Sequence, residues 1–234
     1  MFDAKVFYRL RMKKYISIIP IRAGSKGLIS KNTLHIMGKP LYMYTLEQAL
    51  NHTDQSIIST DIESIFLKEF PSNVKIVRRK KHLAKDNTPL SDVLTDLFKS
   101  YGLEDYIAVL LQATSPLRND EDINNAIKMY DTNKYSMVMS IVQKDSKILK
   151  YGLIKDNIYE PIYDNSSVFM NRQDLPTVYS PNGAIYIFSI KDYLINNIYP
   201  TSKIGAYLMP QSRSIDIDCQ RDFDIVSQII KDNN

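Results

Sequence analysis

Apolar runs of strand length alternate with segments of helical periodicity along most of the chain. The runs typical of strands lie at 15–20, 56–59, 74–77, 106–111, 136–142, 183–188 and 204–209. The segments with helical spacing lie at 40–50, 62–70, 89–98, 120–130, 190–197 and 221–231. This alternation is typical of a mostly parallel sheet that helices cover on both faces. We therefore predict a three-layer α/β/α fold with a mostly parallel central sheet.

The regular alternation breaks between residues 144 and 178. This stretch is polar, rich in Tyr and Asn, and without helical periodicity. Such a stretch is typical of either a long functional loop or a hairpin extension inserted into the domain. We predict one domain over 15–234, preceded by a basic, irregular tail at 1–14 in which Met12 is a possible start of translation.

Charge and composition narrow the classes of function. The net charge of +4 suits a small anionic substrate, and no dense block of Lys and Arg favours nucleic acid. The single cysteine, Cys219, excludes an intramolecular disulfide and a cysteine-based zinc site. The three histidines follow no metal-ligand spacing, so we interpret them as surface or packing residues.

The sequence also bears on where the protein acts. No apolar run approaches the roughly 20 residues that a membrane-spanning helix needs. The first fourteen residues have no apolar segment followed by small residues, as a secretory signal would. We therefore expect a cytoplasmic protein with no membrane partner.

A glycine-containing basic loop follows the first predicted strand. In a parallel sheet, ligands bind beyond the carboxyl ends of the strands. Gly24 and Gly27 allow backbone amides to approach a phosphate, and Arg22, Lys26 and Lys31 can neutralise a triphosphate. The loop is neither a Walker A motif nor a dinucleotide-binding motif. Taken alone it is also compatible with a basic surface turn, but its position after the first strand favours phosphate binding.

A second polar loop, at 112–118, follows the most apolar predicted strand. Its glutamine and hydroxyl residues, Gln112, Thr114 and Ser115, can read a base or a sugar hydroxyl. The alternative is a proline-containing turn in which Ser115 and Asn119 cap the next helix. The two interpretations are compatible with each other.

Two aspartates near the C-terminus, Asp216 and Asp218, are one residue apart. On a strand, this spacing points both carboxylates to one face. Paired carboxylate oxygens suit Mg²⁺, which takes water and substrate phosphates as its other ligands. The alternative is a pair of solvent-facing aspartates, one of which caps the last helix. The basic loop in the same sheet favours the magnesium site.

Read together, the loops resemble the acylneuraminate cytidylyltransferases, the CMP-sialic acid synthetase family. The resemblance begins at about Ile16 and runs to the C-terminus. The motifs occur in the order of the family: I-P-x-R-A-G-S-K-G at 19–27 with K-N at 31–32, G-K-P-L at 38–41, R-x-x-x-L-A-x-D at 79–86, L-L-Q-A-T-S-P-L-R at 110–118, R-Q-x-L-P at 172–176 with N-G-A-I-Y at 182–186, and D-I-D at 216–218. Each motif is weak alone, and their order makes the resemblance specific.

The resemblance implies a nucleotidyltransferase version of the α/β/α fold and a set of residue roles. Arg22, Lys26 and Lys31 would hold the triphosphate of CTP, and Asn32 would contact the nucleotide. Arg79 would lie near the cytosine, and Gln112 would contact the sugar acid, with Thr114 and Ser115 beside it. The remaining implied residues are Asn182 and Tyr186 in the sugar pocket, Arg172 contributed by a partner subunit, and Asp216 and Asp218 as metal ligands. Residues 144–178 would form the dimerisation extension of a homodimer.

The implied reaction is transfer of CMP from CTP to the anomeric hydroxyl of a nine-carbon 2-keto sugar acid of the sialic, legionaminic or pseudaminic type, with release of pyrophosphate. The hydroxyl would attack the α-phosphorus directly, with Mg²⁺ as cofactor. The alternatives are an enzyme acting on the eight-carbon acid KDO, use of another nucleotide, a catalytically silent nucleotide-binding homologue, and a glycosyltransferase. The last is disfavoured because its aspartate pair usually follows a strand in the middle of the chain.

Overall fold

The computed structural model describes residues 13–24 and 27–233, so most of the predicted tail lies outside the described residues. The strands are β1 (Lys14–Pro20), β2 (His35–Ile36), β3 (Lys39–Pro40), β4 (Gln55–Thr60), β5 (Val74–Arg78), β6 (Tyr106–Leu111), β7 (Met137–Lys144), β8 (Gly152–Lys155), β9 (Ile158–Pro161), β10 (Val178–Ser189) and β11 (Ile204–Leu208). The α-helices are α1 (Leu41–Leu50), α2 (Leu90–Tyr101), α3 (Asp120–Asp131), α4 (Ile190–Asn196) and α5 (Gln220–Asp232). Over these residues, every helix is too short or too polar to span a bilayer.

A seven-stranded sheet in the order β11-β7-β10-β6-β1-β4-β5 forms the centre of the protein. Within it, β10 runs antiparallel to both of its neighbours, β6 and β7, while the other pairings are parallel. The carboxyl ends of the parallel strands therefore meet at one edge. The predicted mostly parallel sheet is confirmed.

Helices cover both faces of this sheet. On one face, α1 and α3 pack their apolar sides on alternate strand residues such as Ile19, Val109 and Ile187. On the other face, α2 and α4 pack on the intervening residues, such as Ile18 and Leu110. The run 106–111 is apolar throughout because both of its faces are buried. The predicted three-layer fold is confirmed.

The helix predicted over 62–70 is wrong. The segment contains a single 3-10 turn at Glu63–Ile65 and then an irregular stretch. It offers nine residues before Pro71, and helices this short are marginal unless packing stabilises them. Leu67 points to solvent instead, with 87% of its surface exposed.

The Asp-Ile-Asp segment is also not the strand that we predicted. The chain leaves β11 at Leu208, and Pro210 and a 3-10 turn at Gln211–Arg213 interrupt it before Asp216. Proline cannot donate a ladder hydrogen bond, so the strand ends there. The segment stays extended, with Ile217 buried and its amide donating to the carbonyl of Thr114 at 2.9 Å. The alternation of apolar and acidic positions therefore persists without a strand.

The irregular stretch at 144–178 contains a hairpin, β8–β9, and short 3-10 turns. It starts and ends on neighbouring strands, since Lys144 of β7 pairs with Val178 of β10. Several large apolar side chains of this extension are exposed to solvent: Tyr151, Leu153, Ile154, Ile158, Ile162, Tyr163 and Phe169. The hairpin alternative of the prediction is thus the one observed.

Candidate active site

A polar cleft of about 250 Å³ lies at the carboxyl edge of the sheet. The loops after β1, β5 and β6 and the Asp-Ile-Asp segment all contribute to its walls. The predicted site residues that line it are Arg22, Lys31, Asn32, Arg79, Gln112, Thr114, Asp216 and Asp218. Lys26 lies outside the described residues.

The basic loop after β1 is tied to the Asp-Ile-Asp segment. The Lys31 ammonium donates to the carbonyl of Ile217 at 2.8 Å and to Asp218 Oδ1 at 3.0 Å. The buried amide of Asn32 donates from Nδ2 to the carbonyl of Arg22 at 3.1 Å and so fixes the start of the loop. The phosphate-binding candidate and the metal-binding candidate thus form one continuous surface.

Gly27 lies directly against the backbone of Asp218. A Cβ atom at this position would come within 2.2 Å of the Asp218 carbonyl oxygen. Atoms this close overlap, so glycine is required here for the approach of the two backbones. At Gly24 the nearest atoms would be 3.8 Å and 3.9 Å away, which is ordinary contact. The second glycine of the motif therefore serves packing within the site.

The two aspartates differ in environment. Asp216 is largely buried, and its Oδ1 has no hydrogen-bond partner among residues 13–24 and 27–233. Burial raises the pKa of Asp216, with Asp218 adding to the increase, while a hydrogen bond with Thr114 opposes it. The Asp218 side chain is 75% exposed. An unsatisfied buried carboxylate oxygen beside an exposed carboxylate fits a hard divalent cation that takes its other ligands from phosphate and water.

The described residues contain no group of three His, Cys, Asp or Glu side chains that could hold a metal ion. Asp216 and Asp218 are therefore a pair of carboxylates and not part of a larger cluster within this part of the chain. That number is typical of Mg²⁺ sites whose other ligands are substrate phosphates and water.

Arg79 lies almost buried at the end of β5, with 8% of its surface exposed. Its Nη2 donates to the carbonyl of Ser59 at 3.1 Å, whereas Nε has no partner within the described part of the chain. Burial lowers the pKa of Arg79, and nearby Asp61 partly opposes this effect. A buried N–H without a partner is available to a ligand that enters the cleft.

Gln112 is held against a bulge in β10. The register of β10 with β7 shifts between Pro181 and Tyr186, and Gly183 has a φ of 79°. A Cβ at Gly183 would lie 3.0 Å from Gln112 Oε1, so the side chain rests on the glycine. Asn182 and Gly183 therefore lie in a bulge that sets the position of Gln112.

Three predicted residues of the sugar pocket and its surroundings do not line the cleft. Asn182 accepts from Ser140 Oγ at 2.5 Å and donates to Ser214 Oγ at 3.0 Å, so it links β10 to the segment before Asp216. Ser115 is fully buried, and capping of α3 falls to Asn119 instead. Tyr186 stacks near the ring of Tyr199, with centroids 6.0 Å apart.

Arg172 lies apart from this cleft within the single chain. It lines a separate cavity of about 790 Å³ between the extension and the carboxyl ends of β7 and β11. Its Nε lies 3.2 Å from Asp145 Oδ1 in an exposed ion pair. This location is compatible with the expectation that Arg172 acts at a different subunit's site.

Sequence reasoning missed three charged residues that line the site or support residues of it. Asp86 pairs with Arg22, and Asp61 Oδ1 accepts from the amide of Ala23 at 2.8 Å. Arg118 is fully buried and donates to the carbonyl of Ala184 at 2.7 Å, Gln48 Oε1 at 2.9 Å and Thr45 Oγ1 at 3.0 Å. The available signal was position, because Asp61 directly follows a strand and Asp86 and Arg118 end two of the motifs.

Comparisons with known proteins identify the family of the chain. The cytidylyltransferase family model matches residues 16–231. An N-acylneuraminate cytidylyltransferase of Streptococcus agalactiae serotype V is 33% identical over 214 residues, 90% of this chain and 52% of that protein. The pseudaminic acid cytidylyltransferase of Campylobacter jejuni subsp. jejuni serotype O:2 is 26% identical over 227 residues, 94% of this chain and 98% of that protein.

A solved structure of CMP:2-keto-3-deoxy-manno-octonic acid synthetase complexed with CTP shares the fold. Its TM-score is 0.71 at 16% identity, and the match covers 95% of this chain and 100% of that one. The chain spans about half the length of the N-acylneuraminate cytidylyltransferases that it matches. The resemblance predicted from the motifs is confirmed, and the chain belongs to the cytidylyltransferase family.

Proposed function

We propose that this protein transfers CMP from CTP to the anomeric hydroxyl of a nine-carbon 2-keto sugar acid and releases pyrophosphate. The observation that carries the proposal is the joining of a basic loop to an aspartate pair in one cleft by Lys31. The basic side chains that would bind a triphosphate and the carboxylates that would bind a divalent cation can then contact the same substrate. The names of the N-acylneuraminate and pseudaminic acid relatives support the same class of reaction.

The side chains of the cleft divide the work between charge and position. Arg22 and Lys31 would donate charge-assisted hydrogen bonds to phosphate oxygens and stabilise the negative charge on the leaving pyrophosphate. The unpartnered Nε of Arg79 would donate to the cytosine. Gln112, resting on Gly183, would orient the sugar acid so that its hydroxyl meets the α-phosphorus in line.

Asp216 and Asp218 would hold Mg²⁺, which when bound supplies positive charge to the phosphate oxygens and lowers the pKa of a coordinated hydroxyl. Lys31 now donates to Asp218 Oδ1, so its ammonium would shift toward phosphate when the cleft is loaded. No side chain of the cleft is assigned as a general base.

Replacing Asp218 by Asn tests the aspartate pair. We expect pyrophosphate release to fall about a hundredfold, because a neutral amide is a weak Mg²⁺ ligand. The exposed Asp224 on α5 offers a matched control, and Asp224→Asn should keep wild-type turnover. Equal turnover of Asp218→Asn and the wild type would refute the metal assignment.

The sugar is tested by pyrophosphate release from CTP and Mg²⁺ with N-acetylneuraminic, legionaminic and pseudaminic acids and KDO. Release with one nine-carbon acid supports the proposal and identifies the substrate. Release with KDO alone would favour the eight-carbon alternative. CTP binding without release from any acid would favour a silent homologue.

We also propose that the protein is a homodimer joined through the extension at 144–178. The apolar side chains exposed there, such as Ile154 at 79% and Phe169 at 88%, form a surface that a second copy could cover. Arg172 lies at the base of the extension and outside the cleft of its own chain. A second copy would allow it to serve the neighbouring cleft, where a guanidinium can pair with the carboxylate of a sugar acid.

A further inference from the structure

An ion pair lies across the wall of the nucleotide cleft. Arg22 Nη1 donates to Asp86 Oδ1, and both residues line the cleft. The two side chains are 30% and 40% exposed, so ligand and solvent can reach both. Arg22 is a cation that we assign to the triphosphate, yet here it is already neutralised by a carboxylate.

The backbone around Arg22 does not depend on Asp86 for its position. Asn32 Nδ2 donates to the carbonyl of Arg22, and Asp61 Oδ1 accepts from the amide of Ala23. Both contacts hold the main chain on either side of the same peptide bond. Loss of the Asp86 charge would therefore free the guanidinium and leave the loop in place.

A carboxylate in this position opposes binding of a polyanion. For Arg22 to donate to a phosphate oxygen, its contact with Asp86 must be broken or shared. A partly exposed ion pair is weak, so the opposition is modest and reversible. Asp86 thus weakens the hold of the cleft on phosphate without preventing binding.

We propose that Asp86 is an internal competitor for Arg22, which limits how tightly the cleft holds pyrophosphate and so promotes its release. This inference rests on the proposed function, since it assigns a role in the release of that reaction's product. Asp86 acts through Arg22 and is a positioning residue. When a ligand binds, Arg22 would transfer its hydrogen bond from Asp86 to a phosphate oxygen.

The test is titration calorimetry of inorganic pyrophosphate with Mg²⁺ against the full chain. We expect Asp86→Asn to bind pyrophosphate about fivefold more tightly than the wild type, with an unchanged melting temperature. Asp96→Asn is the matched control, because Asp96 also forms an exposed ion pair, with Lys80, but does not line the cleft. The control should bind pyrophosphate as the wild type does.

A double-mutant cycle separates competition for Arg22 from simple removal of a negative charge. In an Arg22→Gln background, we expect Asp86→Asn to change pyrophosphate affinity by less than about twofold. An equal gain in both backgrounds would overturn the inference, as would unchanged or weaker binding by the single Asp86→Asn variant.

The pyrophosphate-release assay with the four sugar acids tests the proposed function separately. Tighter pyrophosphate binding by Asp86→Asn with no sugar activated would support the competitor and refute the reaction. Sugar activation with no gain in pyrophosphate affinity would refute the competitor alone.

Discussion

Gly27 and Gly24 belong to the same motif but have different physical roles. Gly27 is required because its backbone touches that of Asp218, whereas Gly24 has room for a methyl group. The contact sets the distance between the basic loop and the aspartate pair. At the scale of the residue, the geometry of the site thus depends on the absence of a side chain at Gly27.

We predict that Gly27→Ala lowers pyrophosphate release at least about tenfold, because the added methyl must push Asp218 away from its place. The loop is exposed, so the melting temperature should change little. Gly24→Ala is the control and should keep turnover within about twofold, since its methyl would make ordinary contacts. Equal loss in both variants would show that the loop needs glycine for flexibility rather than for close approach.

Residues that follow strands directly could be predicted from the sequence. The topology of a parallel sheet brings Arg22, Arg79 and Gln112 to one edge whatever the details of packing. Ser115 could not be excluded in advance, because its burial depends on how α3 docks. Asp86 ends one of the motifs, but its pairing with Arg22 could not be predicted, since the two residues are 64 positions apart.

At the scale of the element, an ion pair anchors the turn that leads to the aspartates. The Asp122 carboxylate at the start of α3 has no exposed surface and accepts from Arg213 Nε at 2.9 Å and Nη2 at 2.8 Å. Tyr207 of β11 donates to it at 3.1 Å. Burial acts to raise the pKa of Asp122, but these hydrogen bonds outweigh it, so the pKa lies below its usual value.

We predict that Asp122→Asn lowers the free energy of unfolding by about 3 kcal/mol at neutral pH, because Arg213 loses a buried partner. A lowered folded-state pKa gives stability that is present above the unfolded value of about 3.9 and is lost as pH falls through the folded value. The difference in the free energy of unfolding between Asp122→Asn and the wild type should therefore become smaller below about pH 4. Urea denaturation across a pH series measures it.

Glu47→Gln provides the comparison, because Glu47 pairs with Lys39 at an exposed site. Its effect on the free energy of unfolding should stay below about 1 kcal/mol. If the free energies of unfolding of Asp122→Asn and the wild type differ by the same amount at every pH, the role assigned to the Asp122 carboxylate is contradicted.

The pattern of apolar positions predicted α3 correctly but not the structure of 62–70 or of 215–218. The twelve-residue helix α3 carries acidic residues in its first turn and a capping box of Asn119 with Asp122. The segment 62–70 has apolar residues at similar spacing but no comparable cap and a proline after it. Asp216 and Asp218 alternate with isoleucines as a strand would, yet hydrogen bonding beyond β11 decides the outcome, and that depends on Pro210.

At the scale of the whole molecule, the apolar surface of the extension predicts an assembly. We expect the wild type to have twice the chain mass of 27.0 kDa in light scattering. Ile154→Arg should convert it to a monomer, because a buried unpaired charge opposes association. Leu67→Arg changes a similarly exposed apolar residue outside the extension and should leave the mass unchanged. A monomeric wild type would refute the homodimer.

The pairing of Lys144 with Val178 means that the extension enters and leaves the sheet at one point. The length of such an insertion can change without moving the register of any strand. Longer loops also cost little extra closure entropy. Replacing residues 145–177 by a short turn should therefore leave a foldable core that still holds nucleotide. If the proposed function holds, exchange of this one contiguous segment would alter assembly and the contact made by Arg172, while the loops that bind phosphate would stay unchanged.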